Sequence, residues 1–275
     1  MEKIGLIAGN GAFPVVFARE ARSRGFSVVA VAHKGESRPE IANAVDSIEW
    51  IRVGQIGRLV RALSRAGVRR AVMAGGIDKV GSLLRLRPDR RGLKLLGRAL
   101  TKGDDALLRG LAAELEGEGI EIVPCTTFLE RLLFPSGVLC GKPLDTASYS
   151  DLRLGVKVLR ALGPLDVGQS VIVEDGVVLA IEAIEGTDAT IHRAGALGRR
   201  RAMVVKGAKR GQDMRFDVPT VGPRTIETMA EFGATTLAVE AGAAILLDGD
   251  DVVRRAESNG IRLLGWEGEG EVRGG

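Results

Sequence analysis

Histidine and cysteine are nearly absent from this chain of 275 residues, which has two of each, and aromatic residues make up only 4% of it. With His33 and His192 alone it cannot build the histidine-rich two-metal centre of many phosphoesterases, nor a zinc cluster. So few rings argue against a stacking platform for single-stranded nucleic acid, and no nucleic-acid partner is expected. Cys125 and Cys140 read as free thiols in a reducing cytosol rather than as a bridge. No segment offers about 18 uninterrupted apolar residues, so no membrane span is expected. The start, MEKIGLIAGNG, lacks a basic stretch followed by a long apolar run, so no secretory signal is expected either. Also missing is a G-x-x-x-x-G-K-[ST] loop to cradle a triphosphate.

What the chain does contain is glycine, 38 residues of it, with a hydrophobic share of 45% and a charged share of 27%. Those shares are ordinary for a soluble globular protein, and the length suits one large α/β domain or two modest ones. Many glycines suit backbone that approaches a ligand at tight turns. The net charge of +4 is modest, and basic residues gather mainly in RLRPDRRGLK and GRRRAMVVKGAKR. Such clusters meet phosphates on a small ligand or an anionic membrane surface, or are simply solvated turns.

Strand and helix patterns alternate through the first half. KIGLIAG is an apolar strand ending in glycine, FPVVFAREARSRG has helical spacing, and FSVVAVAH is the continuous apolar run of a strand covered on both faces. SIEWIRV, QIGRLVRALSRAG, RRAVMAGG, DDALLRGLAAELEGEG and IEIVPC continue the alternation. The expected fold is α/β with two domains. Residues 1–136 form a Rossmann-like, doubly wound parallel sheet, 137–150 a linker, and 151–275 a mixed α/β domain. The linker falls in FPSGVLCGKPLDTASYS, where glycine, proline and serine replace periodicity. In the second domain QSVIVEDGVVLAIEA reads as a hairpin turning at Asp175-Gly176, and EGEGEVRGG as a frayed tail.

Four stretches carry candidate chemistry. In IAGNGAFP, Gly9, Asn10 and Gly11 follow a strand and precede a helix, so backbone amides can face a phosphate. Pro14 stands where a dinucleotide turn has its third glycine, and His33 and Lys34 stand where the second strand would end in a ribose-binding acid. An NAD site is therefore disfavoured; a phosphate- or uridine-facing turn and a structural turn both remain open. KGDDALLRG puts Asp104 and Asp105 at a helix start, as metal ligands or as a cap. EAIEGTDATIHR puts Thr187 and Asp188 at a strand exit, as ligand-binding or capping groups. Finally, Lys206, Lys209, Arg210, Gln212, Asp213, Arg215 and Asp217 crowd into KGAKRGQDMRFD, which Pro219, Thr220 and Gly222 close. Cations there suit phosphate and carboxylates suit a hard ion such as Mg²⁺, which needs only one or two of them beside phosphate oxygens and water.

Taken in order, IAGNGAFP, AGGIDK, KGDDALL, DVGQSVIV, EGTDA and K-x-x-Q-D-x-R-x-D-x-P-x-V-G-x-x-T resemble the UDP-2,3-diacylglucosamine pyrophosphatase family of lipid A biosynthesis. This is the branch unrelated to the calcineurin-like phosphoesterases, and the resemblance runs from about residue 3 to residue 267. It implies Mg²⁺-dependent attack of water on the α-phosphorus, releasing UMP and 2,3-diacylglucosamine 1-phosphate. It also implies two α/β domains, a homodimer, and a cytoplasmic enzyme in transient contact with the inner-membrane surface. Carried over residue by residue, Asp217 is the essential carboxylate, with Asp213, Arg215, Gln212 and Lys209 as companions. Asp217, Asp213, Asp104 and Asp105 are the metal candidates. Gly9, Asn10, Gly11, Lys79, Thr187, Asp188, Lys206 and Thr220 are the substrate contacts. The family commonly has proline after the lysine, where this chain has Arg210. Outside the resemblance, a nucleotide-binding regulator, a lipid carrier and an NAD-type oxidoreductase are the competing classes.

Overall fold

The computed structural model describes residues 1–77, 86–99, 103–165, 167–197, 201–209, 213, 215–216 and 218–273. Among the expected site residues, Lys79, Gln212 and Asp217 lie outside these, as do the side chains of Asp104 and Asp105. Two units emerge: Met1–Glu130 with Met214–Asp217, and Arg131–Asp213 with Val218–Gly275.

In the first unit β1 (Lys3–Ala8), β2 (Ser27–His33), β3 (Ser47–Ile51), β4 (Arg70–Ala74) and β5 (Glu121–Ile122) form a parallel sheet in the order β3-β2-β1-β4-β5. Helices α1 (Phe13–Ser23), α2 (Ile56–Arg65), α3 (Arg90–Ala99) and α4 (Gly103–Glu116) connect the strands. The continuous apolar run of β2 is buried from Val28 to His33, as a strand needs when both faces are covered. Helix α2 buries Ile56, Leu59, Val60 and Leu63, a stripe at i, i+3, i+4 and i+7 that meets Val29, Val31 and Met73 of the sheet. Sheet growth changes direction between β1 and β4, so the carboxyl ends of those strands open the crevice where such folds bind ligands.

The second unit contains β6 (Gly137–Cys140), α5 (Thr146–Leu162), β7 (Ser170–Glu174), β8 (Val177–Ile181), α6 (Thr187–Gly195) and β9 (Met203–Lys206). It continues with β10 (Thr220–Val221), α7 (Pro223–Phe232), β11 (Thr236–Glu240), β12 (Ile245–Leu246), α8 (Gly249–Ser258) and β13 (Arg262–Trp266). Six strands form a mixed sheet, β6-β13-β11-β9-β7-β8, in which β9, β11 and β13 run parallel. Val204, Leu237, Val239 and Leu263 pack on one face with Ile191, Ile226 and Val252 from the helices. Val205, Ala238, Leu264 and Trp266 pack on the other with Leu152 and Val156 of α5. The β7–β8 hairpin turns at Asp175 (φ 51°) and Gly176 (φ 75°), the two positive angles that an Asp-Gly turn supplies.

Two expectations about the second half are corrected. Residues 137–150 are not a linker: they contain β6, antiparallel to β13, and the first turn of α5, whose start Asp145 caps by accepting from the Ser148 amide. The units part earlier, at Glu130 and Arg131. Nor does the tail fray at once, because Glu267 and Glu271 form a bridge and Val272 packs against the α5 side of the sheet.

Candidate functional site

At the carboxyl end of β1, the Gly9 amide donates to the Ala74 carbonyl at 2.8 Å and the Asn10 amide to the Gly76 carbonyl at 2.7 Å. The two strand exits therefore lie backbone against backbone. A Cβ on Gly9 would stand 2.2 Å from the Gly76 oxygen, so glycine is required there by packing. Gly11 differs: its φ is +81°, and nothing lies within 4 Å of where a Cβ would point. Pro14 occupies the first turn of α1, whose N-terminus has no side-chain cap. The Val15 and Val16 amides turn back to the Ala12 carbonyl, which leaves the turn from Gly11 to Phe13, ahead of the uncapped helix start, to face a phosphate.

Where a dinucleotide fold would place its ribose acid, the chain makes an internal lock. The Ala8 carbonyl accepts from His33 Nδ1 at 2.9 Å and from Ser37 Oγ at 2.7 Å, while the His33 amide donates to Ser37 Oγ at 2.9 Å. Burial pushes the His33 pKa below 6.5, against the opposing effects of the Ala8 hydrogen bond and the Glu36 charge. Below pH 6.5 the unfolded chain then holds a proton that the folded chain does not. Stability is full above that pH and falls as the pH drops towards the lower folded-state value. Melting temperatures of the wild type and His33→Gln between about pH 7.5 and 5 should diverge in slope, the variant being flatter. Equal slopes would remove His33 from the acid response.

The second cluster lies at the carboxyl end of β9. Lys206 is only 5% exposed, and its ammonium donates to Thr187 Oγ1 at 2.7 Å. Thr187 donates in turn to Glu182 Oε2 at 3.1 Å, and Ser170 Oγ lies 3.2 Å from the same hydroxyl. Register explains the meeting: Ser170 opens β7 directly opposite Lys206. Gly186 at φ 83° leads into α6 and delivers Thr187 to its first turn. A buried ammonium is tolerated only with acceptors around it, and this hydroxyl–carboxylate relay provides them. Next to it, the Glu185 carboxyl lies below its ordinary range because backbone amides and Arg193 favour its charged form.

The remaining candidates are more scattered. Asp188 pairs with the largely exposed Arg224 at 2.8 Å. Thr220 donates back to the Val218 carbonyl at 3.1 Å. Arg215, carried over as a catalytic companion, donates to Glu116 at 2.9 Å and lies over the Phe216 ring, which packs on the apolar cluster of the first unit. Lys209 and Asp213 are half-buried. The structure thus joins Gly9, Asn10 and Gly11 at one site and Lys206 with Thr187 at another. Motif reading missed Glu182 and Ser170; DVGQSVIV had signalled only the serine's neighbourhood, and nothing local marked the glutamate.

Among the described residues, no group of three or more His, Cys, Asp or Glu could hold a metal ion. The Lys206 cluster does not fit a cation, since an ammonium already fills it. Asp213 has the hard oxygen donors that Mg²⁺ takes.

Family models described as the LpxI N-terminal domain and the LpxI C-terminal domain match residues 3–132 and 135–264. The UDP-2,3-diacylglucosamine pyrophosphatase LpxI of Caulobacter vibrioides is 35% identical over 279 aligned positions, covering 96% of this chain and 98% of that protein. Among solved structures, CobK precorrin-6A reductase aligns over 97% of this chain and 88% of its own, at 12% identity and a TM-score of 0.31. The biotin carboxylase domain of a thermophilic 2-oxoglutarate carboxylase aligns over 62% of this chain and 35% of its own, at 15% identity and a TM-score of 0.28. Likeness that weak carries no argument about function.

Proposed function

The chain belongs to the LpxI family, and on that premise we propose that it hydrolyses the pyrophosphate of UDP-2,3-diacylglucosamine in lipid A biosynthesis. The observation that carries this reading is the near full-length match to a pyrophosphatase with that substrate in its name. Water attacks the α-phosphorus, the bond from that phosphorus to the bridging oxygen breaks, and UMP leaves 2,3-diacylglucosamine 1-phosphate behind. The reaction needs negative charge neutralised and water held in line, with no covalent intermediate.

Lys206 has the charge for a phosphate oxygen, held in place by Thr187, Glu182 and Ser170. The open turn at Gly11 faces phosphate or uridine, and Gly9 and Asn10, whose amides donate to the Ala74 and Gly76 carbonyls, hold that turn in place, with Lys79, Asp188 and Thr220 as further contacts. Asp217 takes the proton of the attacking water or holds the metal, helped by Asp213, Gln212, Arg215 and Lys209. Mg²⁺, on Asp213 and Asp217 with Asp104 and Asp105 as further candidates, would supply charge neutralisation on the pyrophosphate oxygens.

The substrate has two acyl chains that need shelter from water, whereas no helix among the described residues is long and apolar enough to cross a membrane. On this reading the protein is a homodimer that touches the cytoplasmic face of the inner membrane transiently. Incubation with UDP-2,3-diacylglucosamine and Mg²⁺ in ¹⁸O-water tests the chemistry. The label is expected in UMP. Label in the diacylglucosamine 1-phosphate would overturn attack at the α-phosphorus, and binding without UMP release would favour a carrier.

A further inference from the structure

After Lys206 the chain leaves β9 through Gly207 and Ala208, and it is held there from both faces of the sheet. One hold is the Thr187–Glu182–Ser170 relay around Lys206. The other is Glu240, the last residue of β11, whose Oε2 accepts from the Ala208 amide at 2.8 Å. Its second oxygen, Oε1, accepts from Arg160 Nη2 at 2.7 Å. Arg160 comes from the last turn of α5, lies 5.2 Å above the Trp266 ring and donates also to the Gly268 carbonyl at 3.3 Å. Glu240 and Trp266 are register partners, so the ends of two parallel strands and a helix converge on one amide. The Arg160 and Glu240 side chains are 17% and 15% exposed, so solvent screens the pair far less than it would a surface one. Gly207 completes the fit, because a Cβ there would stand 2.7 Å from Glu240 Oε2 and 2.9 Å from Trp266 Cζ2.

The arrangement is costly for a structural tie. Arg160 Nε and Trp266 Nε1 are both buried with no hydrogen-bond partner among the described residues. A design for stability alone would satisfy those donors or replace the group with apolar side chains. What the cluster fixes instead is a direction: where the backbone points as it passes from Ala208 to Lys209.

We propose that Glu240, oriented by Arg160, is a positioning residue. It sets the exit of the chain from β9 at Ala208 and thereby the placement of Lys209, the residue that follows. The inference rests on the hydrolase reading and adds to it a residue that acts without touching substrate. Displacement of a reacting group by about 1 Å can cost a hundredfold in rate.

The test compares kcat and KM for UDP-2,3-diacylglucosamine, per folded protein by near-ultraviolet circular dichroism, in Glu240→Ala, Glu240→Gln and Arg160→Met. Glu240→Ala is expected to lose roughly ten- to a hundredfold in kcat with KM within about threefold of wild type. Glu240→Gln keeps an acceptor for the Ala208 amide and should recover most of that loss. Arg160→Met, which retains bulk over Trp266, should fall between them. Wild-type kcat in folded Glu240→Ala overturns the proposal, as does a loss in Glu240→Gln equal to that in alanine. If the alanine variant does not fold, Arg160→Met decides: unchanged kcat overturns the proposal. Asp217→Asn is run in parallel to separate the two levels. Full turnover in that variant overturns the reading of the segment itself, whereas its inactivation beside an active Glu240→Ala overturns only the positioning role.

Discussion

Asp217→Asn is expected to bind substrate and melt like the wild type while turning over about a hundredfold more slowly, or worse. That range is the one observed when a general base or a charge placed for the transition state is lost. Asparagine keeps the size of the side chain and removes its charge, so a fold defect is not the expected outcome. A split between the two candidate roles comes from titrating Mg²⁺. If Asp217 ligates the ion, the concentration giving half-maximal rate rises in the variant; if it only accepts the proton of water, that concentration stays where it was. Near wild-type turnover at saturating Mg²⁺ would take Asp217 out of the mechanism altogether.

Gly9→Ala should destabilise the first unit strongly through a single methyl group. The added carbon would meet the Gly76 oxygen at 2.2 Å and the Gly75 carbon and oxygen at 2.7 Å, all main-chain atoms. No rotamer change relieves a clash with backbone, so β1 and β4 must separate where the Gly9 amide meets the Ala74 carbonyl. Overpacking of this kind costs roughly 3 kcal/mol, which for a unit of this size lowers the melting temperature by about 10 °C. Gly11, two residues on, has open space but a φ of +81°, so a substitution there strains the backbone without a clash. Calorimetry on Gly9→Ala decides the matter. A melting temperature within about 2 °C of wild type would mean that the strand exits can part without cost.

The legible parts of the fold were those encoded over a few residues. Both alternating sets of β2 are buried, so its apolar run is unbroken, and Asp175-Gly176 has the turn chemistry that its two positive φ angles need. Strand β6 was illegible for the converse reason. FPSGVLC looks like a breaker, and its strand character comes from pairing with β13, far along the chain. The same distinction divides the site. Gly9, Gly11, Thr187 and Lys206 each stand in a motif, and the structure joins the last two. Glu182 and Ser170 act through residues from other elements, and Arg160 reaches Glu240 across 80 positions of sequence. Partnerships of that range leave no periodic trace.

The pairing of β6 with β13 also has a consequence for how the chain is made. Among the described residues, the strand that opens the second unit has its one sheet neighbour in the strand that closes it. A nascent chain emerging amino end first therefore exposes Val138 and Leu139 with no strand to meet until Arg262–Trp266 has been synthesised. The first parallel sheet needs nothing beyond β5, so all its strands are available long before. A chain interrupted after α8 would leave β6 without its β13 partner and one edge of β11 open to other chains. Ribosome stalling late in this message should therefore yield aggregates rather than a truncated folded product, because the last strand is what joins β6 to the rest of the sheet.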